Sequence, residues 1–443
     1  MPIDRRGFLK AAGAGAGLTL AGARPEAVEA APRRAPLVRS GQASDVVVVG
    51  AGSFGAWTSL HLQRMGATVT LVDQYGPANS RSTSGGETRG VRSSYGDRPQ
   101  GLQWGQWAVE AMRRWKAWDE EHARDLLPPL FFTTGDVILR AEMEPFLEQT
   151  VENWKVMGHE HEIIDADEVR RRWPVIATDE MQVAIYEPSA GVVRARRAIE
   201  SVAQVFQREG GTIKIGRATL GANQNGTLSE IVLDSGERVT GDTFVFALGP
   251  WFPKVFPEQM GRRIRASTLG HVLYIATPPG DHSYEWPNLP SYNVPGCTGW
   301  PALPPDFRGF RIRVGGHSEE DPDTSSRWVP LDAQERPREI LRTYFPALAE
   351  LPINETRACH YEGSVSRNFI IDRQPGSENV WFAGGGNAEA FKQGPVLGEY
   401  IAGRVMGTET DPELIEAFKF PEEEYDLEEE RRREEARRRR GED

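Results

Sequence analysis

Residues 44–73 read SDVVVVGAGSFGAWTSLHLQRMGATVTLVD, and no other stretch constrains the fold as strongly. Val46 to Val49 is an unbroken β-branched apolar run, the pattern of a strand buried on both faces of a parallel sheet. Gly50, Gly52 and Gly55 follow as G-x-G-x-x-G. A helical pattern with Ala56, Leu60 and Leu62 then runs to Gly66, and TVTLVD is a second strand closing on Asp73. Gly50 permits a tight turn, Gly52 lets the backbone approach a pyrophosphate, and Gly55 lets the helix lie against the strand. The helix start offers unpaired N–H groups and partial positive charge to phosphates. An acid about 20 residues on accepts from ribose hydroxyls, which argues against a 2′-phosphate. The expectation is a Rossmann-like unit in an α/β fold, with Gly50, Ala51, Gly52, Ser53, Phe54, Gly55, Asp73 and Gln74 around a dinucleotide. The motif alone does not separate FAD from NAD.

The rest of the chain bounds the answer. At 443 residues it is long enough for two or three domains. A net charge of -12 argues against a nucleic-acid partner, since a phosphate backbone would be repelled. Near the N-terminus, DRRGFLK pairs Arg5 and Arg6 with Phe8, Leu9 and Lys10, and a short Gly-rich apolar run follows. That run is too short to span a bilayer, which takes about 20 apolar residues. Val28 and Ala30 can bracket a cleavage site. Residues 1–30 therefore resemble a twin-arginine export signal, which implies a translocase partner and a periplasmic or extracellular destination. Residues 31–43 read as a linker. Residues 411–443 are a charged tail in which Glu428 to Arg432 and Glu429 to Arg433 have i,i+4 spacing. The only two cysteines, Cys297 and Cys359, allow one disulfide in an exported chain.

A plain NAD dehydrogenase would continue after Asp73 into another helix–strand unit. Here DQYGPANSRSTSGGETRGVRSSYGD follows instead, a polar loop with Arg81, Arg89 and Arg92. Together with ACHYEGSVSRNFIID (residues 358–372) and VWFAGGGNAEAFKQGPVLGEYIA, it resembles the monomeric sarcosine oxidase and N-methyl amino acid oxidase branch of the D-amino acid oxidase-like flavoproteins. The resemblance covers most of residues 44–408. It implies FAD as cofactor, in a glutathione-reductase-type FAD fold with a discontinuous mixed-sheet substrate domain. It also implies oxidation of the C–N bond of an amino acid or secondary amine by hydride transfer to the flavin N5, with dioxygen as acceptor and hydrogen peroxide as product.

The resemblance further assigns residues. Ser84, Thr88, Arg89, Gly249, Trp251, Gly385, Gly386, Lys392 and Gly394 fall at cofactor positions. Cys359 stands where the family's thiol is bonded to the flavin 8α-methyl, with the family's twelve-residue spacing to Ile371. The alternatives at this point are a free buried thiol and a Cys297–Cys359 bridge. Where the family has a histidine over the flavin, this chain has Gly85. Arg92 and Lys392 match the family's substrate carboxylate clamp, a planar fork and a point charge. Tyr361 matches a tyrosine of the substrate wall, and His317 an active-site histidine. Arg313 replaces the family's oxygen-activating lysine, which keeps a quinone- or carrier-dependent dehydrogenase in view. A flavin-binding partner without turnover is the rival from another class.

Residues 44–97, 190–254 and 357–410 are expected to form the FAD domain, and 98–189 with 255–356 the substrate domain. Hairpin turns are expected at Asn225-Gly226 and Asp234-Ser235-Gly236. DADEVRRRWP begins with a capping box, Asp165 with Glu168. HEHE at 159–162 reads as an alternating strand with both histidines on one exposed face, not as a metal site.

Overall fold

A computed structural model describes residues 45–122, 129–315, 321–426 and the single positions 428 and 432. The expected export signal, the linker, His317 and the Glu429–Arg433 pair lie outside the described residues. Glu428 and Arg432 do pair, at 3.5 Å.

The run Asp45–Val49 is a central strand of a six-stranded sheet. The strand order is Ile370–Arg373, Val380–Gly384, Thr243–Phe246, Asp45–Val49, Thr68–Asp73, Thr212–Ile215. All neighbours are parallel except the outermost pair, Ile370–Arg373 with Val380–Gly384. Alternate side chains serve two cores, as the strand period of two requires. Val46 and Val48 pack with the helices Ser53–Arg64, Gly101–His122, Ala195–Arg208 and Gly394–Met406. Val47 and Val49 pack with Ile231, Leu233 and Val239 of a small antiparallel sheet. Both faces are thereby covered, which is why an all-apolar strand suits this place.

Glycines set the closest approaches. Gly50 has φ +106°, and a Cβ there would stand 2.2 Å from the Ala247 carbonyl oxygen. A Cβ on Gly55 would meet the Gly50 oxygen at 1.8 Å, so only glycine lets this helix begin where it does. On the helix Gly394–Met406, a Cβ at Gly394 or Gly398 would fall 2.7 or 2.4 Å from Trp57.

The second large sheet has eight strands, in the order Ile353–Ser364, Ile264–Ile275, Phe310–Gly315, Cys297–Trp300, Ser291–Val294, Asp136–Arg140, Val183–Glu187, Glu162–Asp165. In the strand Phe310–Gly315 alternation is decisive. Phe310, Ile312 and Val314 enter a core with Leu341, Tyr344 and Phe345. Arg311 and Arg313 take the opposite face. Both sheets lie in one compact unit.

The two expected hairpins form. Asn225 and Gly226 have φ of 52° and 83° between paired strands, the geometry of a type I′ turn. Residues 234–236 join Glu230–Leu233 to Arg238–Thr240. Asp165 caps its helix by accepting from the Glu168 amide at 2.9 Å, while the Glu168 carboxylate turns to Arg171 and Arg172. The HEHE reading is corrected. Gly158 ends the preceding helix in the left-handed region, and the strand begins only at Glu162. His159 is nearly buried, its Nε2 2.8 Å from Glu187 Oε1, and His161 Nδ1 lies 2.8 Å from the His159 carbonyl.

Candidate active site

At the carboxyl ends of the parallel strands opens a cavity of about 510 Å³, lined among others by Gly50, Gly52, Asp73, Ser84, Trp251 and Gly386. Open α/β sheets bind their ligands at this end. Asp73 Oδ2 accepts from the Ala51 amide at 2.8 Å, and Oδ1 from the Tyr75 amide at 2.8 Å. Those bonds fix the carboxylate at the rim, where burial pushes its pKa up from the ordinary value. The helix Ser53–Arg64 has no side-chain cap and no acid in its first turn, so its N-terminal field is left for an anion. Ser84 Oγ accepts from the Ser53 amide at 2.9 Å. The buried hydroxyls of Ser53 and Thr83, both on the wall, have no partner among the described residues. A close-approach glycine turn, an uncapped helix start, a rim carboxylate and two orphaned hydroxyls fit a dinucleotide cofactor.

A second cavity, of about 110 Å³, is bounded by Arg92, Asp136, Arg311, Arg313, Cys359 and Lys392. Arg89, Ala388, Glu389 and Phe391 line both cavities, so the two share a wall. Ala388 holds φ at 65° on that wall, a conformation uncommon for a residue with a Cβ.

The sequence-predicted residues distribute as follows. Gln74, Gly249, Trp251 and Tyr361 stand on the large cavity, with Trp251 Nε1 donating to Asp323 Oδ1 at 2.8 Å. Thr88 is buried just behind, its hydroxyl accepting from Trp300 Nε1 at 3.0 Å. Gly85 has no room for any side chain, because a Cβ would stand 2.0 Å from the Asn79 carbonyl oxygen. Gly385, with φ 68°, and Gly394 stand outside both cavity walls, and the Gly394 amide donates to the Phe391 carbonyl at 3.1 Å.

Both cysteines are free thiols, so the bridge alternative is not realised. Their environments differ sharply. Burial in an apolar core pushes Cys297 up to about 12. Burial acts the same way on Cys359, yet Arg89, Arg357, Arg311 and Arg313 outweigh it and bring that thiol below its ordinary value.

The expected clamp is already paired. Arg92 Nε lies 3.9 Å from Asp136 Oδ2, and its Nη1 donates to Ser94 Oγ at 2.7 Å. Burial raises Asp136 to about 6 against the pull of Arg92. Lys392 donates to Glu389 Oε2, and Glu389 also accepts from Tyr95 Oη at 3.0 Å and from Arg98 at 3.2 Å. Burial opposes ionisation of Glu389, but Lys392, Arg98 and Arg92 prevail and hold it at about 2.

Sequence reasoning missed Asp136, Glu389, Glu362 and Arg311. Glu362 stands on the large cavity, accepts from the Gly386 amide at 3.0 Å and is raised to about 7 by burial. The alternation in FRIRV carried a signal for Arg311, which shares a face with Arg313.

Residues 45–404 match the family model described as DAO, FAD dependent oxidoreductase. The chain is 25% identical over 380 residues to the monomeric sarcosine oxidase of Arthrobacter sp., covering 84% of this chain and 94% of that protein. It is also 25% identical over 384 residues to N-methyl-L-tryptophan oxidase of Shigella sonnei, covering 84% and 97%. In fold it is similar to iminodiacetate oxidase from Chelativorans sp., with a TM-score of 0.68 at 21% identity over 84% of this chain and 98% of that one. The match runs from the first strand through the glycine turn and both cavities and ends within the helix Gly394–Met406. This chain therefore belongs to the DAO family of FAD-dependent oxidoreductases.

Proposed function

We propose that this flavoprotein oxidises the C–N bond of a small amino acid or secondary amine bearing a carboxylate, with dioxygen as acceptor. The substrate loses two electrons and becomes an imine, which water hydrolyses; dioxygen gains two electrons and two protons to give hydrogen peroxide. FAD, when bound, supplies the two-electron relay between them. One observation carries this reading: the cavity that fits the dinucleotide shares a wall with a small cation-rich cavity. Gly50, Gly52, Ser53, Asp73 and Ser84 would hold the nucleotide. Arg92 would hold the substrate carboxylate, exchanging part of its loose contact with Asp136 for a bidentate one. Lys392, tied to Glu389, acts mainly by fixing the wall.

Cys359 is proposed as a covalent tether to the cofactor, supported by its cationic surroundings. A quinone or carrier acceptor is the second reading, favoured by Arg313. A guanidinium supplies charge but, unlike a lysine, does not readily give up a proton. Export by the twin-arginine route is proposed from residues 4–30 alone. The segments 44–97, 190–254 and 357–410 are proposed as the FAD domain, since every strand of the six-stranded sheet falls within them.

The test is anaerobic titration of the purified yellow protein with a panel of amino acids and N-methyl amino acids, read as flavin bleaching, followed by admission of air. Bleaching by a carboxylate-bearing amine with peroxide on reoxidation is expected. Failure of every amine to bleach the flavin overturns the reading. Reoxidation only by artificial dyes selects the second acceptor.

A further inference from the structure

The small cavity holds more positive charge than its own carboxylates neutralise. Of the cations on its wall, Arg92 faces Asp136 and Lys392 is bonded to Glu389. Arg89 donates to the Cys359 sulfur, and Arg313 has interactions of its own. Arg311 differs. It is 97% buried, since only 3% of it is exposed, and no carboxylate pairs with it among the described residues. Its Nε and Nη1 are buried without a hydrogen-bond partner among the described residues. Burial lowers its pKa only to about 10, so it stays charged at neutral pH. A buried guanidinium left with unused donors is costly to a fold unless something binds there.

The local build holds Arg311 rigidly. Trp300 and Tyr274 are its cross-strand neighbours on either side. Its guanidinium carbon stands 3.6 Å from the centroid of the Trp300 ring, which gives a flat group a flat support. The Trp300 indole is itself fixed by its bond to Thr88 Oγ1. The Tyr292 hydroxyl donates to the Arg311 carbonyl at 2.9 Å and pins the strand behind it. The result is a supported, charged, unsatisfied fork on a cavity wall, the arrangement that recognises a carboxylate.

We propose that Arg311 binds a second carboxylate of the substrate, so that this enzyme acts on a small amine carrying two acidic groups, one held by Arg92 and one by Arg311. The proposal rests on the amine-oxidising reading given above and narrows its substrate class.

The test uses the FAD-loaded protein under anaerobic conditions and needs no turnover. Succinate and butyrate, matched in chain length, are titrated at constant ionic strength, with binding read by calorimetry and by perturbation of the flavin spectrum. Wild-type protein is expected to bind succinate at least about tenfold more tightly than butyrate. Arg311→Met is expected to abolish that preference while leaving butyrate within about twofold, since removing one charged hydrogen-bond donor set costs only the contact it made. Equal binding of the two acids by the wild type, as when both arginines grip one carboxylate, overturns the proposal. So does an equal loss for both acids in Arg311→Met. The wild-type comparison stands even if the variant does not fold. A protein whose flavin no amine bleaches defeats the amine-oxidising reading, whereas the preference for succinate is decided separately by the titration.

Discussion

Arg89 Nη2 donates to Cys359 Sγ at 3.0 Å, joining the polar loop after the second strand to a strand 270 residues later. A guanidinium at that distance favours thiolate, the form that adds to an electrophile. Cys359 is thereby separated in chemistry from Cys297, which sits in an apolar core and is raised to about 12. Acid precipitation of wild-type protein is expected to carry the yellow colour into the pellet, and Cys359→Ala to release it into solution. Arg89→Met is expected to bind FAD and lose most of the covalent fraction. Colour wholly in the wild-type supernatant excludes the tether.

How much of this was legible in the sequence follows from how local each signal is. The strand–turn–helix–strand unit at 45–73 was readable because its apolar run, glycines and acid are adjacent in the chain, and each has one physical use. The hairpin at Asn225-Gly226 was readable because the left-handed region admits few other residues. HEHE misled because alternation looks alike in a strand and in a capped helix end; only the left-handed Gly158 and the partner Glu187, far off in sequence, decide it. Glu389 and Arg311 were hidden for a related reason. A sequence shows charges but not pairings, so it could not reveal that Lys392 is already neutralised and Arg311 is not.

Gly55 offers a direct test of the turn that builds the cofactor cavity. A Cβ there would overlap the Gly50 carbonyl oxygen, with no flexible side chain to yield. Gly55→Ala is expected to cost about 3 kcal/mol or more of stability, at the upper end for overpacking. It should also lose FAD, since the same turn cradles the nucleotide. Denaturant unfolding of cofactor-stripped protein measures the first effect free of the second. A change below about 0.5 kcal/mol, the range of neutral surface substitutions, contradicts the close approach.

The Glu389–Lys392 pair is buried, and removing one partner strands the other charge. Glu389→Gln is expected to destabilise by about 3–5 kcal/mol. Lys392→Met in the same background should restore part of that loss, because the stranded ammonium is gone while Arg98, the carboxylate's other partner, remains. The double-mutant cycle, read by chemical denaturation, separates this from simple loss of packing. Additive effects of the two changes would show that the ion pair does not couple them.

Glu362 gives a pH signature of opposite sign to that of an ordinary salt-bridged carboxylate. Burial raises it from 4.5 to about 7, and its chief aid to the charged form is the Gly386 amide. At pH below about 4.5 it is protonated in both folded and unfolded chains, so its contribution to stability is fully present. Between about 4.5 and 7 the unfolded chain releases the proton while the folded chain retains it, and that contribution is lost as pH rises. Asp136, raised to about 6 by burial, moves stability in the same direction. Glu362→Gln cannot ionise and escapes its share of the loss. The stability of the variant relative to wild type, read by denaturant unfolding, is therefore expected to rise between pH 5 and pH 8 by about 2–3 kcal/mol if the full shift is realised, at about 1.36 kcal/mol per pKa unit. A difference that stays flat with pH would mean that Glu362 is ionised in the folded protein, and that a cation or bound water compensates it at the cavity wall.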